Sequence, residues 1–179
     1  MISSPDLIKA ALTADALSLG PHWVYDQSAL ATAYPAGVHG LTNPLSKYHP
    51  GKTAGDLTHY GDNLALLLET VSENGSWNQN AFIAKWQSFW FNTTSYSDGA
   101  TRETLARLEN ASLPGSTSND IAGASIALAL TGLIESGEDD ALVATVREQT
   151  GFAHHEAETL DDAEIFTRVI LHLRSGETL

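Results

Sequence analysis

Apolar residues recur at helical intervals along most of this chain. Leu7, Ile8, Ala11, Leu12 and Leu19 fall on one face of a helix that Ser4 can cap and Pro5 can open. Asn78 can cap a second segment, in which Phe82, Ile83, Trp86, Phe89 and Trp90 follow the i, i+1, i+4, i+7, i+8 rule. Comparable patterns run from Ala100 to Leu108, Asn119 to Leu133, Asp139 to Gln149 and Thr159 to Leu173. "LALLLETV", Leu64 to Val71, is apolar on nearly all sides up to Glu69, which predicts a central helix. "IAGASIALAL", Ile121 to Leu130, is rich in small residues and reads as a buried helix that neighbours approach closely. No alternating strand pattern competes, and no internal repeat is visible. The predicted fold is all-α, a compact bundle of about seven helices, forming a single domain over residues 1–179.

One stretch breaks the periodicity. From Gly20 to Thr58 the chain holds Pro21, Pro35, Pro44 and Pro50 among glycines and aromatics. An irregular segment of that length inside a compact domain is usually functional or disordered. Trp23, Tyr25, Tyr34 and Tyr48 argue that it is packed down.

Composition narrows the functional classes. Nine Lys plus Arg against 22 Asp plus Glu give a net charge of −13, with no cationic patch of the kind a nucleic-acid surface needs. The same field repels an anionic small ligand unless a bound cation or a helix N-terminus reverses it locally. No run approaches the roughly 18 apolar residues of a membrane span, and the first ten residues lack a basic-then-apolar leader. The expectation is a soluble, cytoplasmic protein with neither membrane nor nucleic acid as partner. The absence of cysteine excludes disulfides and thiolate chemistry, and the Asn-x-Ser/Thr triplets at Asn74, Asn92 and Asn110 then read as chance matches.

Two carboxylates stand out. Asp15 lies on the face its helix should bury, three residues after Leu12 and four before Leu19, and a buried carboxylate needs a partner. Either it bonds a neighbouring helix's backbone, or it contacts a metal or ligand. Asp62 stands at the mouth of the central helix, just after Asp56 and His59. It can cap that helix and gain from the macrodipole, or it can hold a cation. "GKT" at Gly51 to Thr53 is not a phosphate loop, because Ser46 stands where the first glycine belongs and no strand precedes it. Lys52 can still hold an anion, with a solvated lysine as the default reading. "HHEAETL" at His154 lacks the second histidine of a zinc-protease helix, and "GASIA" at Gly123 lacks the closing glycine of a nucleophile elbow.

Four blocks, in order, resemble the ADP-ribosylglycohydrolase family, which includes the dinitrogenase-reductase-activating glycohydrolase. "AALTADALSLGPHWVYD", Ala10 to Asp26, is similar to the family's opening helix ending in Gly-Asp-Ala-Leu-Gly. "HYGDNLALLLETV", His59 to Val71, is similar to Thr-Asp-Asp-Thr followed by an apolar helix. "SNDIAGASIALAL" follows, and "QTGFAHHEAETLDDAEIFTRVILHL", Gln149 to Leu173, resembles the Thr-His-x-Asp-Pro block and its helix. The resemblance implies a compact orthogonal multi-helix bundle of that family's type. It also implies a hydrolase holding magnesium between helices and cleaving the glycosidic bond of ADP-ribose on a protein or small molecule. A metal would give a locally positive floor inside an acidic protein.

Carried over residue by residue, the resemblance makes Asp62 the metal ligand and, with Asp15, a catalytic carboxylate. It places Gly61 where the family has the first aspartate, Tyr60 at its threonine and Asn63 at its final threonine. His59, Tyr60, Gly61, Asn63 and His154 become candidate substrate contacts, with His59 or His154 able to shuttle protons near neutral pH. Asp26 and Asp56 are supporting carboxylates at best. The family's second metal block has no counterpart before Leu179, so the chain resembles the N-terminal portion of such an enzyme. Two readings follow: a magnesium-dependent ADP-ribosylglycohydrolase, or a catalytically impaired member acting as an ADP-ribose-binding, nucleotide-binding or structural protein. A bundle lacking its last helices would cover apolar faces by self-association, so a homo-oligomer is expected.

Overall fold

The computed structural model describes residues 4–110, 115–120, 138–176 and 178. Seven helices are found there: α1 (Ser4–Ser18), α2 (Gln27–Ala33), α3 (His59–Asn74), α4 (Gln79–Asn92), α5 (Gly99–Glu109), α6 (Asp139–Ala153) and α7 (Ala157–Arg174). Among the described residues there is no strand, only an isolated bridge between Ser116 and His154. The all-α expectation is met.

Most helix starts follow from local chemistry. Asn78 accepts from the Ala81 amide at α4, and Asp98 accepts from the Thr101 amide at α5, each satisfying a donor the helix cannot. α3 begins five residues earlier than its apolar core, because Thr58 caps it by accepting from the Tyr60 amide. α2 lies inside the segment expected to be irregular, where Asp26 accepts from the amides of Ser28 and Ala29. None of its residues is buried, so it left no apolar stripe to read. Asn119 and Asp120, the first two residues of the helix expected at 119–133, are not helical. The rest of that helix, including 121–130, lies outside the described residues.

The core is built on α3, α4, α6 and α7. Leu64, Leu67 and Val71 of α3 meet Phe82, Trp86 and Trp90 of α4, Leu142, Val146 and Phe152 of α6 and Ala163 of α7. The Phe152 ring stands edge-on to both Phe82 and Trp86, with centroids 5.4 Å and 5.0 Å away. Each such ring contributes roughly 1.5–3 kcal/mol by leaving water. A buried amide ties α3 to α4 in this core: Asn63 Oδ1 accepts from the indoles of Trp86 (2.7 Å) and Trp90 (3.3 Å), and its amide donates to the His59 carbonyl at 2.8 Å. Because Trp86 and Trp90 are one turn apart, a single amide oxygen can satisfy both.

Two irregular segments cover one end of the bundle. The long segment before α3 is packed down as its aromatics suggested, with Tyr34 hydroxyl bonded to Thr42 and Trp23 among histidines; Tyr25, 79% exposed, is the exception. Residues 115–120 are stitched to the α6–α7 junction, where the Ser116 hydroxyl donates to the Ala153 carbonyl and the His155 amide to the Ser116 carbonyl. These two segments bring Trp23, Tyr48, Ser118 and Asp120 together over the mouths of α3 and α5.

Candidate functional site

At the mouth of α3 the sequence-level candidates meet, but each is engaged. The Asp15 carboxylate reaches across from α1 as a second cap: it accepts from the Thr58 amide (2.7 Å), the Thr58 hydroxyl (2.6 Å) and the Gly61 amide (3.1 Å). Gly61 makes this approach possible. A Cβ there would lie 2.6 Å from Asp15 Cγ and 2.9 Å from Leu57 Cβ, so the bare glycine admits a carboxylate from another helix.

Asp62 points elsewhere, into a depression it shares with Lys52, Asp56 and Thr94. Its Oδ2 is 2.7 Å from Lys52 Nζ, and both side chains are largely buried. Lys52 also donates to the Leu57 carbonyl at 2.6 Å, so it is not the solvated lysine expected. Burial pushes the Asp62 carboxyl above its usual range, and the Lys52 ammonium only partly opposes this. Asp26 and Asp56 serve local turns. The residues here do not fit magnesium: Asp15 has three donors, Asp62 holds an ammonium, and no group of three or more acidic or histidine side chains suited to a metal occurs among the described residues.

A cleft of about 290 Å³ opens beside this point. Trp23, Tyr48 and Tyr96 supply aromatic wall, and Tyr60, Asp98, Ser118 and Asp120 supply polar groups. Trp23 has a φ of 58°, a left-handed conformation that costs a bulky residue of order 1–3 kcal/mol. Its ring repays this by stacking on His59 and His22, each 4.6 Å away, and on His49 at 5.2 Å. His22 Nδ1 and His49 Nε2 lie 3.0 Å apart and are hydrogen-bonded, the tautomers deciding which ring donates. Burial, then the neighbouring His59 and His49, lowers His22 to about 4. Burial, then His59 and Lys52, likewise lowers His49.

Two carboxylates, Asp98 and Asp120, face this cleft. Burial alone would raise Asp98, but the His59 imidazole 3.5 Å away and the hydrogen bond from Thr101 outweigh it and hold the carboxyl well below its usual range, so it is ionised. The Tyr60 hydroxyl donates to Asp120. Burial, then that bond and the surrounding negative charge, keeps the phenol protonated far above its ordinary range.

Behind Tyr60 and Asp98 lies a small chamber lined also by His59, Asn63, Gln149 and His154. His59 Nε2 is 3.5 Å from Asp98 Oδ2, an ion-pair distance too long for a good hydrogen bond. Both ring nitrogens of His59, Nε2 of His154 and Oε1 of Gln149 are buried without a protein hydrogen-bond partner. His154, lowered mainly by burial, is a neutral imidazole at physiological pH.

The structure therefore separates the sequence-level candidates. His59, Tyr60, Asn63 and His154 line the chamber; Asn63 is tied into the tryptophan core, and Asp15 and Gly61 form the α1–α3 junction. Asp62 belongs with Lys52. Sequence reasoning missed Asp98, Asp120, Tyr96, Gln149 and the His22–His49 pair. Asp98 before Gly-Ala-Thr had the mark of a helix cap, which it is, and nothing local shows that its other oxygen turns toward His59.

No curated protein matches this sequence. A family model described as ADP-ribosylglycohydrolase matches residues 8–178, a span that contains most of α1, all of α2 to α7, the capped mouth of α3, the aromatic cleft and the chamber behind it. The chain belongs to the ADP-ribosylglycohydrolase family.

Proposed function

We propose that the protein hydrolyses the glycosidic bond of an ADP-ribosyl group, carried by a protein side chain or a small molecule, in the cleft between Trp23 and Asp98. The observation that carries this reading is the pairing, in one cleft, of an aromatic wall with ionised Asp98 and tyrosine-bonded Asp120. Aromatic rings suit a base or the flat face of a sugar, and carboxylates accept from ribose hydroxyls. Glycoside cleavage passes through an oxocarbenium-like state, whose positive charge an ionised Asp98 stabilises. An acidic site is therefore an asset for the bond that breaks.

The roles divide as follows. Asp98 faces the anomeric carbon, and Asp120, bonded by Tyr60, orients the ribose. His59, stacked on Trp23, holds Asp98 from behind. No step is assigned to a metal. The test is release of free ADP-ribose from ADP-ribosyl-arginine, followed by chromatography. Asp98→Asn is expected to lower turnover by about 10²-fold or more while binding of ADP-ribose persists. Equal turnover in that variant would remove Asp98 from the reaction.

A second reading rests on the Lys52–Asp62 ion pair and the three donors on Asp15, which engage the carboxylates that the family resemblance assigns to catalysis. In that reading the cleft binds ADP-ribose or a nucleotide without cleaving it. Calorimetric binding with no release by the wild-type protein separates it from the first.

A further inference from the structure

We infer that the Lys52 ammonium is the resident cation of the α3 mouth, standing where a divalent metal would otherwise neutralise Asp62. This inference is independent of whether the cleft turns over its ligand.

Lys52 Nζ sits 2.7 Å from Asp62 Oδ2 and 2.6 Å from the Leu57 carbonyl. A carboxylate and a backbone carbonyl are the hard oxygen donors that a magnesium or calcium ion takes. Here one ammonium holds both. Its delivery is built into the loop: Gly51 adopts a φ of 77° just before it, a turn that favours glycine. Just after it Asp56 closes a second turn by accepting from the Thr53 amide at 2.7 Å. Lysine and aspartate side chains are 12% and 14% exposed, so the pair is formed away from bulk water.

The neighbourhood makes a positive charge necessary at this point. The Asp62 side chain is only 14% exposed, so its carboxylate is largely stripped of water, and Asp15 adds like charge beside it. Asp15 has no spare role for a metal, since its two oxygens serve Thr58 and Gly61. A magnesium ion about 2.0–2.1 Å from Asp62 Oδ2 would press directly on the Lys52 ammonium. Binding thus requires lysine to leave. If it is removed, Asp62 faces a depression of about 400 Å³ lined also by Gly51, Asp56, Thr94 and Ser95, with room for a hydrated ion.

The experiment compares thermal unfolding with and without about 10 mM Mg²⁺ at matched ionic strength. Wild type and Lys52→Arg are expected to show no shift. Lys52→Met is expected to gain roughly 3–6 °C, the shift that an affinity near 1 mM produces, and the gain is expected to vanish in Lys52→Met/Asp62→Asn. Should Lys52→Met be unfolded without cation, refolding on addition of Mg²⁺ is the readout, and failure to refold overturns the inference. A folded Lys52→Met protein that ignores Mg²⁺ and Mn²⁺ overturns it too. So does wild-type protein in which stoichiometric Mn²⁺ broadens the amide resonances of Thr58 to Asn63.

Discussion

Gly61 shows how much one side chain, or its absence, decides at this site. Its missing Cβ leaves the space into which the Asp15 carboxylate fits, and that carboxylate in turn satisfies the amides of Thr58 and Gly61. Gly61→Ala therefore forces Asp15 or Leu57 to move in a packed junction. We expect it to destabilise the protein by about 1–3 kcal/mol, although alanine is the better helix former. Urea unfolding measures this, and a stabilised variant would show that Asp15 does not depend on the gap. Trp23 is the complementary case, a bulky residue held at a φ of 58° by stacking against three histidines. Strain of that kind persists only where the surroundings fix it, which marks the cleft wall as tightly determined.

At the scale of elements, α3 is the piece on which the site depends. Its first turn carries a local cap from Thr58 and a tertiary cap from Asp15, its next turn sends Asn63 into the tryptophans of α4, and its apolar end forms the core. His59 reaches the chamber because the turn below it is fixed by the Asn63 amide. Replacing Asn63 by Leu leaves two buried indole N–H groups without an acceptor, each worth about 1–3 kcal/mol. We expect a loss of roughly 2–5 kcal/mol in urea unfolding, and a shift in the environment of Trp86 and Trp90 seen by fluorescence. A loss below about 1 kcal/mol would mean that the indoles find other partners. α5 is tied to the same centre through Asp98, whose one carboxylate caps the helix at Thr101 and faces His59.

Across the whole molecule, three buried or half-buried histidines make stability depend on pH. His22, His49 and His154 are each lowered from their ordinary value of 6.5, burial being the largest cause in every case. The unfolded chain therefore binds protons first, so stability rises with pH through this range. The contribution is complete above the unfolded value of 6.5 and is lost as pH falls toward the His22 value of about 4. Asp98, lowered from 3.8, adds a loss in the same direction at still lower pH, whereas Asp62, raised from 3.8, acts in the opposite sense. The urea midpoint is expected to fall steadily from pH 7 to pH 4.5, and His22→Phe is expected to flatten part of that fall. A midpoint that is level or higher at pH 4.5 would contradict neutral, stacked histidines. The helices described are not long and apolar enough to cross a membrane, and the acidic balance places the burden of charge compensation on local devices such as Lys52.

The sequence by itself determined the helical class, six of the helix positions described or their cores, the cap at Asn78, and the family through its ordered blocks. Those properties are written in periods of a few residues, where apolar spacing and capping chemistry act locally. α2 escaped because it buries no residue and so needs no stripe. Tertiary structure alone decided how the charged groups pair. Asp15 and Thr58 are 43 residues apart, Tyr60 and Asp120 are 60 apart, and Lys52 meets Asp62 only because a loop turns back over α3. A carboxylate's role depends on what burial and neighbours do to its charge, and neither is visible until the helices are packed.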